Sequence, residues 1–288
     1  MIEWLINETE AGLFPLDLLR QRLPLAPEGY LRQLLRAGRI RQGEDPLDPS
    51  QPLTAGARLS LPESRRLRDL ALPLPVILFE NDELLAVDKP AGLAVHRGVG
   101  HEDDNLLKRV ETLLAGRGAP YSASPAHRLD AETSGPVLFG KGRRACAKLG
   151  RLFMTDQVEK TYLALAAGRL PDAGVLEGKV PVRGRARQAA TAFQLLDCRQ
   201  NFSMLKLKLL TGRTHQIRRH LAAAGHPLLG DRRYRGPESE AGNRMFLHCL
   251  ELVLPVPPEG VRQSIFSPLP PELERILSRL GMSLPTCG

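Results

Sequence analysis

Asp130 lies two residues after Arg128, and Thr133, Ser134 and Gly135 follow it closely. A carboxylate held still in a polar loop beside a guanidinium stays ionised and can act as nucleophile or base. Gly135 and Pro136 break the local regularity, and Val137, Leu138 and Phe139 then read as a short buried strand. The plain alternative is an aspartate that bonds to its own loop backbone, as most loop aspartates do. On this stretch alone the plain alternative is the default. No metal chemistry is expected: His96 and His101 lack a partner at ligand spacing, and His215, His220 and His226 do not make the HExxH pattern.

The longer string changes that balance. His127-Arg128-Leu129-Asp130, two further residues, then Thr133-Ser134-Gly135 resembles the signature of the RluA-type pseudouridine synthases, which isomerise uridine in RNA. Further segments continue the likeness in the family's order, over about residues 76–280. Asp88-Lys89-Pro90-Ala91-Gly92 is similar to the family's first motif, and Lys160 with Tyr162 matches its KxY element. Residues 211–218, TGRTHQIR, form a second long match. His226-Pro227, Gly230-Asp231, Tyr234 and Gly236 fit an HPxxGDxxYG element, and Leu247-His248-Cys249 fits an LHA-like strand with cysteine where alanine is frequent. Pro136 and the pair Phe139-Gly140 depart from the usual residues without removing a reactive group.

The resemblance implies conversion of uridine to pseudouridine in structured RNA, without a cofactor. It implies an α+β fold: a mixed, largely antiparallel central sheet with flanking helices and a cleft across its middle. Asp130 would start cleavage of the N-glycosidic bond. The Tyr162 ring would pack on the target base, Ile217 would lie under it, and Arg128 would fill the gap left in the RNA. Arg218 is paired with Asp130, because a cation there keeps the carboxylate ionised and oriented. Lys89 is expected to be buried against a carboxylate in a loop beside the site. With His127, Lys160 and Arg213 it completes the expected substrate contacts. A non-catalytic RNA-binding or ribosome-assembly factor on the same scaffold would be marked by loss of Asp130, Tyr162 or Arg218, and all three are present.

Charge agrees with an RNA partner. The net charge is +8 and the sequence pI is near 9.6, which favours polyanions. Cys146, Cys198, Cys249 and Cys287 are far apart and make no CxxC pair, so reduced thiols in a reducing compartment are expected. No apolar run approaches membrane-spanning length, and the first residues lack a secretory pattern. A soluble, cytoplasmic monomer is expected, acting on ribosomal RNA in the first instance and transfer RNA in the second.

Three regions must carry these residues. Residues 1–64 read as a small unit with helices over 14–22 and 28–37, the second stopped by Gly38. Arg32, Arg36 and Arg39 line one face of it, either as a phosphate-tracking stripe or as a solvated helix face. Its order of elements resembles a degenerate S4 RNA-binding domain. Residues 65–75 read as a charged, Pro-punctuated linker, and 76–288 as the catalytic domain. Within the latter, Asn81-Asp82-Glu83 predicts a hairpin and Asp103 or Asp104 predicts a helix cap. A helix is predicted over 142–154, and strands over 158–165, 190–196 and 203–210. Residues 168–189, with Arg183, Arg185 and Arg187 at alternate positions, predict a mobile basic loop or hairpin facing RNA. Thr211 and Thr214 are expected to cap the helix that contains Arg218.

Overall fold

The computed structural model describes residues 2–62, 64, 67, 70–71, 73–102, 104–182, 185–238, 244–256 and 261–284. The chain divides into two units, Met1–Pro75 with Glu102–Ser122, and Val76–His101 with Ala123–Gly288.

The first unit contains β1 (Ile2–Leu5), α1 (Pro15–Arg22), α2 (Glu28–Arg36), β2 (Arg41–Gln42), β3 (Asp45–Pro46), β4 (Arg58–Leu61) and α3 (Leu106–Gly116). Pro15 opens α1, where its missing N–H costs nothing and its fixed φ suits the first turn. Beyond α2, Gly38 turns the chain at φ +58. Leu18, Leu19, Leu31, Leu34 and Leu35 then close on Ile40, which precedes β2, and on Leu59 and Leu61 of the sheet, which has the order β1-β4-β2-β3. Arg32, Arg36 and Arg39 are exposed, and Arg32 is tied to Glu28 one turn away at 2.6 Å. The cap of α3 is neither predicted aspartate. Asn105 Oδ1 accepts from Lys108 N at 3.1 Å, while Asp104 grips Arg109 at 2.6 Å. Asparagine is as good an N-cap as aspartate, so Asp104 is freed for the guanidinium. Asp103 lies outside the described residues.

The second unit holds two antiparallel sheets. The first sheet comprises β5 (Val76–Glu80), β6 (Leu84–Lys89), β7 (Ala123–Pro125) and β8 (Gly135–Lys141), in the order β5-β6-β8-β7. Asn81 shapes the predicted hairpin, its Oδ1 accepting from Glu83 N and Leu84 N at 3.0 and 2.8 Å. After α4 (Gly142–Met154) come β9 (Glu159–Ala167), β10 (Ala173–Val182), β11 (Arg185–Arg199) and β12 (Phe202–Leu209). Next follow α5 (Gln216–Ala223), a 3-10 turn (Arg232–Tyr234), β13 (Leu247–Val256), β14 (Val261–Phe266) and α6 (Pro271–Arg279). Their sheet has the order β10-β11-β12-β9-β13-β14. β9 sits inside it and is buried along most of its length, whereas β12 alternates, with Leu205 and Leu207 inward and Lys206 and Lys208 outward.

Of the loop and the hairpin expected over residues 168–189, the structure shows the hairpin. β10 and β11 pair from Ala173 opposite Gln194 to Val182 opposite Arg185, and Val180, Ala189 and Phe193 are buried. Gly174 leaves room for the Phe193 ring, which anchors the hairpin base. Arg187 is exposed on it, while Arg183 and the side chain of Arg185 lie outside the described residues.

Leu163, Leu165, Met204 and Phe246 pack with Leu273, Ile276 and Leu277 of α6 into one cluster. Each such side chain contributes about 1.5–3 kcal/mol through burial. The two sheets meet where Cys249 N donates to Ser134 O at 2.8 Å, beside a parallel bridge between Ser134 and His248. The loop carrying Asp130 ends at that junction.

Candidate active site

The junction determines what the Asp130 loop can be. Gly135 has φ +128, and a Cβ on it would run into the backbone of Cys249, so the close approach of β8 to β13 requires glycine. From below, Lys89 Nζ donates to Pro90 O, Leu93 O and Ala131 O at 2.8, 2.8 and 3.0 Å. Its side chain is fully buried, and burial pushes its pKa down to about 7. Arg244 holds the other side, donating to Glu132 O, Met245 O and Ser134 Oγ at 3.0, 2.8 and 2.7 Å. Two cations therefore fix the loop by its carbonyls, leaving the Asp130 carboxylate unencumbered.

Asp130 faces two groups of α5 and its start. Arg218 Nη1 is 3.7 Å from Asp130 Oδ2, and His215 Nε2 is 3.7 Å from Asp130 Oδ1. The firm partner of Arg218 is Asp231, which accepts from Nε and Nη2 at 2.8 Å each. Nη1 also reaches Glu132 at 3.3 Å. Burial lowers the Arg218 pKa, but the Asp231 bonds and neighbouring carboxylates outweigh it, so the net shift is upward. The guanidinium thus presents its Nη1 edge to Asp130 and Glu132 while its fork is locked from behind.

The start of α5 is not capped by Thr211 or Thr214. His215 is the N-cap residue, in the left-handed region at φ 54, with no side-chain cap bond. Gln216 does the work instead: its Oε1 accepts from Arg213 N at 3.0 Å and Thr211 Oγ1 at 2.7 Å. Its Nε2 donates to Ala190 O and Thr191 Oγ1, both at 3.0 Å, tying the turn to β11. An amide one residue into the helix has the reach and both bond polarities, which a threonine hydroxyl lacks.

Around Asp130 opens a pocket of about 690 Å³, inside the roughly 300–1,000 Å³ range of small-molecule sites. Its lining includes Tyr162, Ile217, Lys160, Phe153 and Leu247, with Arg128, Arg213 and Met154 exposed on it. Tyr162 stands on β9 between Leu207 and Cys249, and burial keeps its phenol well above the usual range, so it is neutral. His127 stacks on Phe153 with ring centroids 4.3 Å apart, and its Nε2 accepts from Leu138 N at 3.1 Å. Burial pushes its pKa down to about 3, so it too is neutral. Lys160 Nζ lies 5.6 Å from the Phe153 ring and has no hydrogen bond among the described residues. A carboxylate, a neutral phenol, an apolar floor and two cations with open donors suit a flat, polar, anionic-backbone ligand such as a nucleotide.

Comparison with known proteins agrees. The RNA pseudouridylate synthase family model matches residues 83–223. Ribosomal large subunit pseudouridine synthase C of Escherichia coli strain K12 is 32% identical over 307 residues, covering 96% of this chain and 95% of its own. The chain belongs to the RNA pseudouridylate synthase family. An RNA pseudouridine synthase of Synechocystis is also 32% identical, over 93% of this chain and 89% of its own. The structure of human RNA pseudouridylate synthase domain containing 4 superposes with a TM-score of 0.62 and 25% identity, over 73% of this chain and 95% of that one. The protein is thus an isomerase of the pseudouridine synthase fold, α+β with antiparallel sheets as expected.

Within this pseudouridine synthase, Asp130, Tyr162, Arg218, Arg128, Ile217, Arg213, His127 and Lys160 all line one pocket. Lys89 is the exception. It touches carbonyls rather than a carboxylate, and its amine is sealed below the Asp130 loop, because three acceptors converge there. It supports the loop from a fully buried position. Arg218 lies 3.7 Å from Asp130 and is in addition gripped by Asp231, whose geometry admits both donors at once. Asp231, His215, Tyr234 and Arg244 are the site residues that sequence reasoning left without a role. Asp231 could have been sought as the anion a buried arginine needs.

Proposed function

We propose that this enzyme isomerises uridine in large-subunit ribosomal RNA, with Asp130 starting the reaction. The observation that carries the proposal is the placement of Asp130 between Arg218 and His215, at 3.7 Å from each, on the wall of a pocket that also holds Tyr162 and Ile217. The target nucleotide leaves its stack and enters the pocket, its base lying between the Tyr162 ring and Ile217. Arg128, exposed at the pocket, occupies the space the base vacates. Asp130 opens the N-glycosidic bond, by attack on the sugar or by promoting a glycal. The freed uracil keeps the bonding pair on N1, rotates, and re-bonds to the sugar through C5. C5 loses its proton and N1 regains one, so the product is an isomer. The apolar floor excludes water during rotation, which would otherwise give a glycosylase.

Large-subunit RNA is favoured because the Escherichia coli relative bears that substrate in its name and matches nearly end to end. Residues 76–288 act as the catalytic domain, and residues 1–64 serve as an S4-like RNA contact with Arg32, Arg36 and Arg39 as its phosphate-facing groups, while the exposed Arg187 of the β10–β11 hairpin is a further one on the catalytic domain. The test is a chemical pseudouridine map of ribosomal and transfer RNA from cells lacking the protein, complemented with wild type or Asp130→Asn. A ribosomal site restored by wild type but not by Asp130→Asn is expected. Full restoration by Asp130→Asn would remove Asp130 from the reaction, and a restored site confined to transfer RNA would overturn the substrate.

A further inference from the structure

His215 is joined to two further side chains that point back from Asp130. Its Nδ1 is 3.1 Å from Tyr234 Oη, and Tyr234 Oη in turn accepts from Arg219 Nε at 2.9 Å. A guanidinium can only donate. The phenol oxygen therefore receives Arg219, and its own proton is free to go to His215 Nδ1. That leaves the imidazole hydrogen on Nε2, the nitrogen that looks at Asp130 Oδ1. The opposite tautomer would turn a lone pair on Nε2 toward a carboxylate. The two rings meet edge to face at 86°, so the phenol also fixes the imidazole plane.

Resting on the reading of Asp130 as the group that starts the reaction, we propose that His215 is a positioning residue for it, its Nε2–H steadying Oδ1 while Arg218 faces Oδ2. The 3.7 Å separations are too long for hydrogen bonds, so this role requires them to tighten when a nucleotide fills the pocket, as catalytic hydrogen bonds commonly do on substrate binding. His215 is held in the left-handed backbone region, an uncommon conformation for a non-glycine residue, and this turns its ring into the pocket wall instead of into solvent. The arrangement carries a pH dependence. Burial holds the His215 pKa below its ordinary value. Asp130 and Glu132 favour its charged form, and Arg218 and Arg233 oppose it. When His215 does take a proton, Nδ1 gains a hydrogen and the Tyr234 hydroxyl must reverse from donor to acceptor. Asp130 is then bound in an ion pair that weakens it as a nucleophile or base.

The test measures tritium released from uracil C5, with total RNA from labelled cells lacking the protein as substrate, in single turnover from about pH 5 to about pH 9. Wild type, His215→Ala, His215→Gln, Tyr234→Phe and Asp130→Asn are compared, with RNA affinity measured separately. His215→Ala is expected to slow release on the order of a hundredfold at unchanged affinity. His215→Gln offers an amide N–H without an ionisation, so it should recover all but about tenfold of the rate and lose the acid limb seen in wild type. Tyr234→Phe frees the tautomer and should slow release while keeping the limb. An identical acid limb in wild type and His215→Gln overturns the proposal. So does a parallel loss of affinity in His215→Ala, which would make His215 a substrate contact. If Asp130→Asn itself releases tritium at the wild-type rate, the reading of Asp130 fails instead, whatever His215 does.

Discussion

Asp231 spans the Arg218 guanidinium with two bonds of 2.8 Å, and the side chains of both residues are almost wholly removed from solvent. Arg218 is thereby aimed by a residue that does not line the pocket, and its Nη1 is left for Asp130 and Glu132. Removing one member of a buried pair leaves an uncompensated charge and costs about 3–5 kcal/mol. Asp231→Asn is therefore expected to lower unfolding stability by that amount in urea titrations and to slow pseudouridine formation in the folded fraction. Arg218→Lys should be nearly as harmful, because an ammonium cannot occupy both Asp231 oxygens and still face Asp130. Wild-type turnover in Arg218→Lys would show that the fork is dispensable.

Gly135 is a backbone requirement, not a sequence habit. At φ +128 with the Cys249 backbone against its Cα, a methyl group has nowhere to go. Gly135→Ala is expected to destabilise the protein by more than the ~1 kcal/mol that an unfavourable φ alone costs. It should also separate β8 from β13, loosening the hydrogen bond from Cys249 N to Ser134 O and exposing that amide to exchange. Amide exchange at Cys249 unchanged from wild type would contradict this account.

Lys89 supplies a stability effect with a sign that can be checked. Its folded pKa, pushed down to about 7 by burial, lies below the ordinary value of 10.5. Between those values the unfolded chain holds a proton that the folded chain does not, so stability relative to Lys89→Met should rise with pH across that window. Lys89→Met also strips a donor from Pro90 O, Leu93 O and Ala131 O, which cost about 1–3 kcal/mol each if left unpaired. Urea titrations of both proteins on either side of neutrality measure the difference. A difference that does not change between about pH 7 and about pH 10 would mean that the ammonium stays charged throughout.

Much of this site was legible because its chemistry is carried by contiguous strings. The residues from His127 to Gly135 and from Thr211 to Arg218 lie in two short runs, and both reach the same pocket. Local patterns also succeeded where one face is buried, as with the alternating Leu205–Lys208 segment and the helix over Gly142–Met154. What failed was partner assignment across the fold. Lys89 meets carbonyls, and Arg218 meets Asp231 in addition to Asp130, because those contacts depend on how loops converge and not on spacing along the chain. The Thr211 and Thr214 caps failed for a related reason. Gln216 can join the turn to β11, and that strand is distant in sequence.

His248 ties the junction to pH. It is fully buried; its Nε2 donates to Ser267 O at 3.0 Å, and its Nδ1 accepts from Ser134 Oγ at 2.8 Å. Arg244 donates to the same Ser134 hydroxyl at 2.7 Å, so the polarity of the chain requires a neutral imidazole. Burial accordingly pushes the His248 pKa down to about 4, from the ordinary 6.5. Between these values the unfolded chain binds a proton that the folded one refuses, so stability is full above about pH 6.5 and is lost as pH falls toward 4. The shift corresponds to roughly 3 kcal/mol over that window, at about 1.4 kcal/mol per pH unit. His127, half-buried and with its pKa pushed down to about 3, acts in the same direction. His248→Gln is expected to be less stable than wild type at neutral pH and to lose stability less steeply on acidification. Urea titrations between about pH 7 and about pH 5 read both. Equal slopes for the two proteins would mean that His248 takes up its proton as readily in the folded state as in the unfolded one, and that the Ser134 hydroxyl is oriented by something other than its imidazole.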